Sequence, residues 1–197
     1  MKVAISQNIK VLNSETDSQV DCLQNDLLRY FQKLPLSVFP VPNNGNTQDW
    51  LEELKPDGII LTGGCNIGEY LERDLTETHL LNYAMYKRKI PVLGICRGMQ
   101  FIAYLAGSEI IPIENHVRDA HEVYGHINQS VNSYHNFTIK DCPTGYHILA
   151  RCVEDDAIEA IRHDTLPILA IMWHPEREKS QSLSDLSLIS EHFRCEQ

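Results

Sequence analysis

Three short stretches of the chain hold the residue types that acyl transfer needs. Gly94-Ile95-Cys96-Arg97-Gly98 has the form G-x-nucleophile-x-G, set between an apolar run, Pro91 to Ile95, and a helical run, Met99 to Ala106. So sharp a turn is strained and crowded, which glycine on both sides relieves, and it lifts the sulfur above the carboxyl end of the strand. A helix starting just beyond it would aim N–H groups and a positive dipole end at the sulfur, favouring thiolate. Five residues alone would equally fit a buried core cysteine. Trp173-His174-Pro175-Glu176, after the strand-like run Ile168 to Met172, supplies what that reading does not explain. A histidine and a glutamate two residues apart after a strand can share a side. Glu176 can then orient His174, which takes the proton of Cys96 and later hands it to a leaving amine. Leu61-Thr62-Gly63-Gly64 ends a third buried run on two glycines. That pattern suits a plain tight turn, and it also suits an oxyanion hole, here expected from the backbone N–H groups of Gly64 and Arg97.

To position these groups, the chain needs strands buried on both faces. Val3 to Ile5, Leu36 to Val41, Gly58 to Leu61 and Pro91 to Ile95 are continuous rather than alternating apolar runs, the mark of a parallel sheet covered on two sides. Helices are expected over Val20 to Leu34, Trp50 to Leu54, Glu77 to Lys89, Met99 to Ala106 and Leu183 to Phe193. Strands alternating with helices indicate a mostly parallel α/β sheet. After Ile110 the character changes: Ser130 to Ile139, Tyr146 to Cys152, Ala157 to Arg162 and Leu166 to Trp173 read as an added antiparallel set. Between them the polar, histidine-rich segment Asn115 to Gln129 reads as a surface excursion.

A chain of 197 residues suits one domain, taken as 1–197, with a core large enough to need no staple. The start of the chain alternates apolar and polar residues without a signal-peptide core, and no run is long enough to span a membrane, so a cytoplasmic protein is expected. A net charge of −10 repels nucleic acid. The densest basic run, Lys87-Arg88-Lys89, falls late in an expected helix, where cations suit the dipole. The six cysteines, Cys22, Cys65, Cys96, Cys142, Cys152 and Cys195, form no C-x-x-C pair. Neither disulfides nor a zinc site with short ligand spacing is therefore expected, and no metal or cofactor is assigned.

Together the motifs resemble the class I glutamine amidotransferase family, whose members share a glycine-rich oxyanion turn, a G-x-C-x-G-x-Q elbow and a late His-Pro-Glu. Gly63-Gly64, Gly94 to Gln100 and His174-Pro175-Glu176 match in order and spacing across almost the whole chain. The resemblance implies a flavodoxin-like open, mostly parallel sheet with helices on both faces and an added antiparallel β set. It also implies a thioester between Cys96 and a γ-glutamyl carbonyl, with Gly63 and Gln100 helping to hold the glutamyl part. Cys96-Arg97-Gly98-Met99-Gln100 and Asn132-Ser133-Tyr134-His135 are similar to the stand-alone γ-glutamyl hydrolase branch, peptidase family C26. By that likeness the backbone at Ser133 and Tyr134 meets the glutamyl group and His135 lies near the site. No synthase domain fits within 197 residues. The implied partner is a small γ-glutamyl substrate, which the likeness extends to a nucleotide-linked amide on the route to phosphoramidate decoration of bacterial surface polysaccharide. Arg97, Arg118 and Arg177 are the candidates for phosphate contacts. Three alternatives stay open: a glutaminase component serving a separate synthetase, a hydrolase of another γ-glutamyl amine, and a silent module that kept the fold.

Overall fold

The computed structural model describes residues 1–13, 15–178 and 182–194, with the side chains of Arg118 and Asp119 outside the described part. In chain order its elements are β1 (Lys2–Ser6), β2 (Asn8–Asn13), β3 (Ser18–Cys22), α1 (Asn25–Phe31), β4 (Ser37–Val41), α2 (Thr47–Leu54) and β5 (Gly58–Leu61). They continue with α3 (Leu71–Asn82), β6 (Val92–Ile95), α4 (Arg97–Leu105), β7 (Ile110–Pro112), β8 (Val117–Gly125) and β9 (Gln129–Tyr134). The last are β10 (Phe137–Ile139), β11 (Tyr146–Cys152), β12 (Ile158–His163), β13 (Ile168–Ile171) and α5 (Leu183–His192).

Nine strands form one sheet in the order β4-β1-β5-β6-β13-β12-β11-β8-β9. The first five pair in parallel and the remaining pairings are antiparallel. Both faces of the parallel half are buried, and the two-residue period of a strand sorts its side chains between them. Val3, Ile5, Ile60, Leu93 and Ile95 pack with Leu27, Phe31, Ile189 and Phe193 of the α1–α5 side. Ala4, Ile59, Leu61 and Val92 pack with Leu51, Leu80, Met99 and Ile102 of α2, α3 and α4. Each such large aliphatic side chain, once buried, contributes about 1.5–3 kcal/mol, which is why these short strands hold without alternation. The mostly parallel sheet with helices on both faces and an antiparallel extension is therefore observed. No helix among the described residues is long and apolar enough to cross a membrane.

Four expectations are corrected. The helix foreseen over Val20 to Leu34 begins only at Asn25; Val20 lies in β3, paired with Lys10 of β2. Asn43 holds that hairpin in place, its side chain and backbone N–H each 2.8 Å from the Asp21 carboxylate, a long-range clamp that outweighs helical spacing. The segment Asn115 to Gln129 is no surface excursion, because β8 lies inside the main sheet between β11 and β9; its histidines are polar but His116 and His121 are buried. The run Ser130 to Ile139 breaks at His135, and β10 leaves to pair with β7 in a separate ribbon. Finally, α3 starts six residues before Glu77 and passes into a π-helical turn, Tyr83–Arg88. Within that turn Lys87 pairs with Glu52 at 2.8 Å. The cysteines at 22, 65, 96, 142 and 152 are free thiols; Cys195 lies outside the described residues.

Candidate active site

Cys96 stands where β6 hands over to α4, with φ at +52° and ψ at −107°. This is an unfavourable conformation for a side-chain-bearing residue, held because the chain is pinned on both sides. Its N–H donates to the Ile171 carbonyl at 2.8 Å, and its own carbonyl accepts from Gln100 N at 3.1 Å as the first helical bond. The flanking glycines are a packing requirement. A methyl at Gly98 would lie 2.2 Å from the Leu61 carbonyl oxygen, and one at Gly94 would lie 2.7 Å from Ile102 Cδ1. Nothing larger than hydrogen lets α4 approach β5 and β6 this closely.

His174 leaves β13 next to the elbow and is almost wholly buried. Its Nδ1 lies 2.6 Å from Glu176 Oε1; a carboxylate only accepts, so Nδ1 carries the hydrogen and Nε2 is left unengaged by Glu176. The Cβ direction of Gly63 locates that nitrogen. A methyl there would sit 2.8 Å from His174 Cε1, 3.5 Å from Nε2 and 3.6 Å from Cys96 Cβ, so the glycine turn, the imidazole and the cysteine share one small space. Burial disfavours the imidazolium, but attraction to Cys96 and to Glu176 outweighs it and raises the His174 pKa to about 9. The arrangement can therefore hold a proton on the imidazole at neutral pH beside the Cys96 sulfur.

A buried ionic network, not foreseen from the sequence, ties the glycine turn to the elbow. Arg73 is fully buried and donates to the carbonyls of Thr62 at 2.8 Å and Gly63 at 3.0 Å, to Asn8 Oδ1 at 2.7 Å and to Glu77 at 3.1 Å. Glu77 in turn pairs with Arg97, which also pairs with Asp74. Burial alone would raise the Glu77 carboxyl pKa, but Arg97 and Arg73 hold it below the ordinary value. The spacing of Arg73 and Glu77, four apart on a helix, was the available signal; starting the helix at Glu77 hid it. This network also corrects one candidate: the Arg97 guanidinium is buried between two carboxylates and is not free to meet a phosphate.

The remaining predicted residues divide. Tyr134 stays at the site, its ring centroid 6.0 Å from that of His174 and the Arg177 guanidinium 4.8 Å over its face. Arg177 shares a crevice with Asn8, Lys10, Gln24, Gly63 and His174. Gln100 Nε2 donates to the Phe137 carbonyl at 2.8 Å and lines a cleft with Asn66, Ile67 and Tyr104. Ser133 is buried and spends its hydroxyl on the His116 carbonyl at 2.7 Å. His135 turns away: its Nδ1 meets the Phe137 carbonyl at 3.0 Å, and its Nε2 faces His116 and Glu159. Its imidazole is thereby committed to a second polar cluster and not offered to a substrate. The Arg118 side chain lies outside the described residues.

The glutamine amidotransferase class-I family model matches residues 18–193. The chain belongs to the class I glutamine amidotransferase family. Among its relatives, a γ-glutamyl-CDP-amidate hydrolase from Campylobacter jejuni is 33% identical, covering 98% of this chain and 98% of that one. A glutamine-hydrolysing GMP synthase subunit from Thermococcus kodakarensis is 27% identical over 74% of this chain and 79% of its own. Among solved structures, this amidotransferase-family chain is similar to a Thermoplasma acidophilum protein assigned as a GMP synthase subunit, with a TM-score of 0.72 at 24% identity over 98% and 92% of the two chains. It is also similar to the glutaminase domain of Trypanosoma brucei CTPS with bound acivicin, with a TM-score of 0.69 at 17% identity over 100% and 95%. The likeness in structure concerns the fold; the family places the chain among hydrolases of glutamine and γ-glutamyl amides.

Proposed function

We propose that the chain hydrolyses a γ-glutamyl amide without a synthetase partner, through a Cys96 acyl-thioester, and that its substrate is γ-glutamyl-CDP-amidate. The observation that carries the substrate is the 33% identity to an enzyme of that activity over 98% of both chains. The Cys96 sulfur attacks the γ-carbonyl carbon. The developing oxyanion is met by the backbone N–H groups of Gly64 and Arg97. Because Arg73 holds the Gly63 carbonyl, the N–H of Gly64 in the same planar peptide points the opposite way. Arg97 opens α4, so its N–H has no partner within the helix. His174 gives its Nε2 proton to the leaving nitrogen as the C–N bond breaks, and cytidine diphosphoramidate departs. Water then attacks the thioester, His174 takes its proton, and the C–S bond breaks to release glutamate. Glu176 fixes the tautomer throughout.

Gly63, Gln100 and the backbone at Ser133 and Tyr134 are the groups assigned to the glutamyl part. Lys10, which makes no ion pair among the described residues, and Arg177 stand in the crevice beside His174 and suit a diphosphate. The product would serve phosphoramidate decoration of surface polysaccharide in the cytoplasm. Purified chain given γ-glutamyl-CDP-amidate alone is expected to release glutamate with steady turnover. Cleavage of other γ-glutamyl amines, with that substrate untouched, would overturn the substrate. The likeness to the Thermococcus GMP synthase component over 74% of the chain supports a second reading, a glutaminase that feeds a separate enzyme. It predicts glutamine hydrolysis that rises only when an ATP-using synthetase is added.

A further inference from the structure

Away from Cys96, the antiparallel half of the sheet carries a set of polar groups into its interior. His116 stands at the entry to β8, His121 within it, His135 just past β9 and Glu159 in β12; all four are buried. Buried polar groups need partners, and here the outer partners determine the inner ones. His116 Nε2 faces Asp155 Oδ2 at 3.0 Å, and a carboxylate only accepts, so this nitrogen bears the hydrogen. His135 Nδ1 faces the Phe137 carbonyl at 3.0 Å and bears the hydrogen for the same reason. In neutral rings the other nitrogens then hold lone pairs, yet His116 Nδ1 and His135 Nε2 face each other at 3.2 Å. Glu159 Oε1, a third acceptor, lies 3.4 Å from the first and 3.5 Å from the second. His121 Nε2 lies 3.5 Å from the same oxygen. Neither Glu159 oxygen nor His121 Nε2 makes a hydrogen bond. Lone pairs converging in a buried space call for a positive centre.

The spacing identifies it. Ligand atoms about 2.0–2.1 Å from a tetrahedral zinc ion stand about 3.3–3.4 Å from one another. The triangle of His116, His135 and Glu159 has edges of 3.2, 3.4 and 3.5 Å. A proton between the two imidazoles would account for the 3.2 Å edge, at the long end of the N–H hydrogen-bond range of about 2.7–3.2 Å, but would leave the 3.4 and 3.5 Å edges to Glu159 beyond it. Asp155 and the Phe137 carbonyl are also the kind of outer partner that orients a metal-bound imidazole.

We propose that His116 Nδ1, His135 Nε2 and Glu159 Oε1 are three ligands of a structural zinc-class divalent cation, with water completing its tetrahedron. Spacing along the chain gives no sign of the site, because its ligands stand just before β8, just after β9 and within β12, spread over 44 positions. The cation would tie β8, β9 and β12 together beneath the catalytic groups. β9 carries Asn132, which holds the backbone of His174, and the Phe137 carbonyl that orients His135 also accepts from Gln100.

The test uses the full chain without an affinity tag and with Cys96→Ala, which removes the active-site thiol as a competing ligand. After chelator treatment, exposure to zinc sulfate and desalting, elemental analysis should find about one zinc per chain, with a rise in Tm that chelator reverses. Cobalt(II) in place of zinc should give the visible absorption of a tetrahedral ion. Glu159→Gln and His135→Asn, each in that background, should lose most of the retained zinc. A chain with its cluster intact that retains no zinc and gives no tetrahedral cobalt spectrum would overturn the proposal, as would zinc retained undiminished in both variants. The cobalt spectrum of the intact cluster keeps the test decisive if either variant fails to fold.

Discussion

Asn132 grips His174 with both ends of its side-chain amide: its Oδ1 accepts from the His174 N–H at 2.9 Å, and its Nδ2 donates to the His174 carbonyl at 2.7 Å. An amide from the edge strand β9 thus copies the ladder bonds that β13 loses where the chain leaves the sheet, and it fixes the backbone that carries the imidazole. The expected outcome of Asn132→Ala is a loss of about 1–3 kcal/mol of stability, the cost of leaving buried backbone groups unpaired. kcat should fall by about tenfold to a hundredfold as His174 loses its position, with KM little changed. Steady-state kinetics alongside chemical denaturation check both; a normal kcat would show that Pro175 and Glu176 hold the imidazole unaided.

Gly63 and Gly98 should respond to the same small change in different ways. The Gly98→Ala methyl meets the backbone oxygen of Leu61 at 2.2 Å, which cannot move without shifting β5, so a loss of about 3 kcal/mol or more is expected. The Gly63→Ala methyl meets His174 Cε1 at 2.8 Å, a side chain that can swing aside. Turnover should then collapse while Tm changes little. Thermal melts and kinetics on the pair distinguish them, and equal stability losses would refute the distinction.

Glu77→Gln removes the carboxylate shared by Arg73 and Arg97 and leaves two buried guanidiniums short of charge. Breaking such a pair costs about 3–5 kcal/mol, to be read from urea unfolding. The Arg73 bonds to the Thr62 and Gly63 carbonyls would loosen as well, so the surviving folded fraction should show reduced kcat.

The pH dependence follows from His174, raised to about 9 by Cys96 and Glu176 against its burial. A group raised in the folded state stabilises fully below its unfolded value, about 6.5, and that contribution disappears as pH climbs through about 9. Activity should share this alkaline limb, because the leaving nitrogen needs the imidazolium proton. Glu176→Gln weakens the attraction, so the limb should move to lower pH along with a lower kcat. An unmoved limb would mean that another group sets it.

The parallel half of the fold was legible because strands buried on both faces need unbroken apolar runs, as in Ile59 to Leu61 and Val92 to Ile95. The elbow and the His174–Glu176 pair were legible because local spacing governs their geometry. What the sequence concealed depends on distant partners. Val20 joins a hairpin rather than a helix because Lys10 and the Asn43–Asp21 clamp are there to receive it. β8 was hidden because buried histidines read as surface residues until Glu159 and Asp155 are brought beside them. Arg97 suggested a phosphate contact until Glu77 and Asp74 enclosed it.

The central claim is that a γ-glutamyl group passes through a thioester on Cys96. Intact-protein mass spectrometry of chain acid-quenched during turnover of γ-glutamyl-CDP-amidate tests this most directly. The prediction is a mass increase equal to one glutamyl acyl group, mapped to the Cys96 peptide, with both the adduct and turnover absent from Cys96→Ala. Turnover that persists in Cys96→Ala, or an acyl group found on another residue, would contradict it.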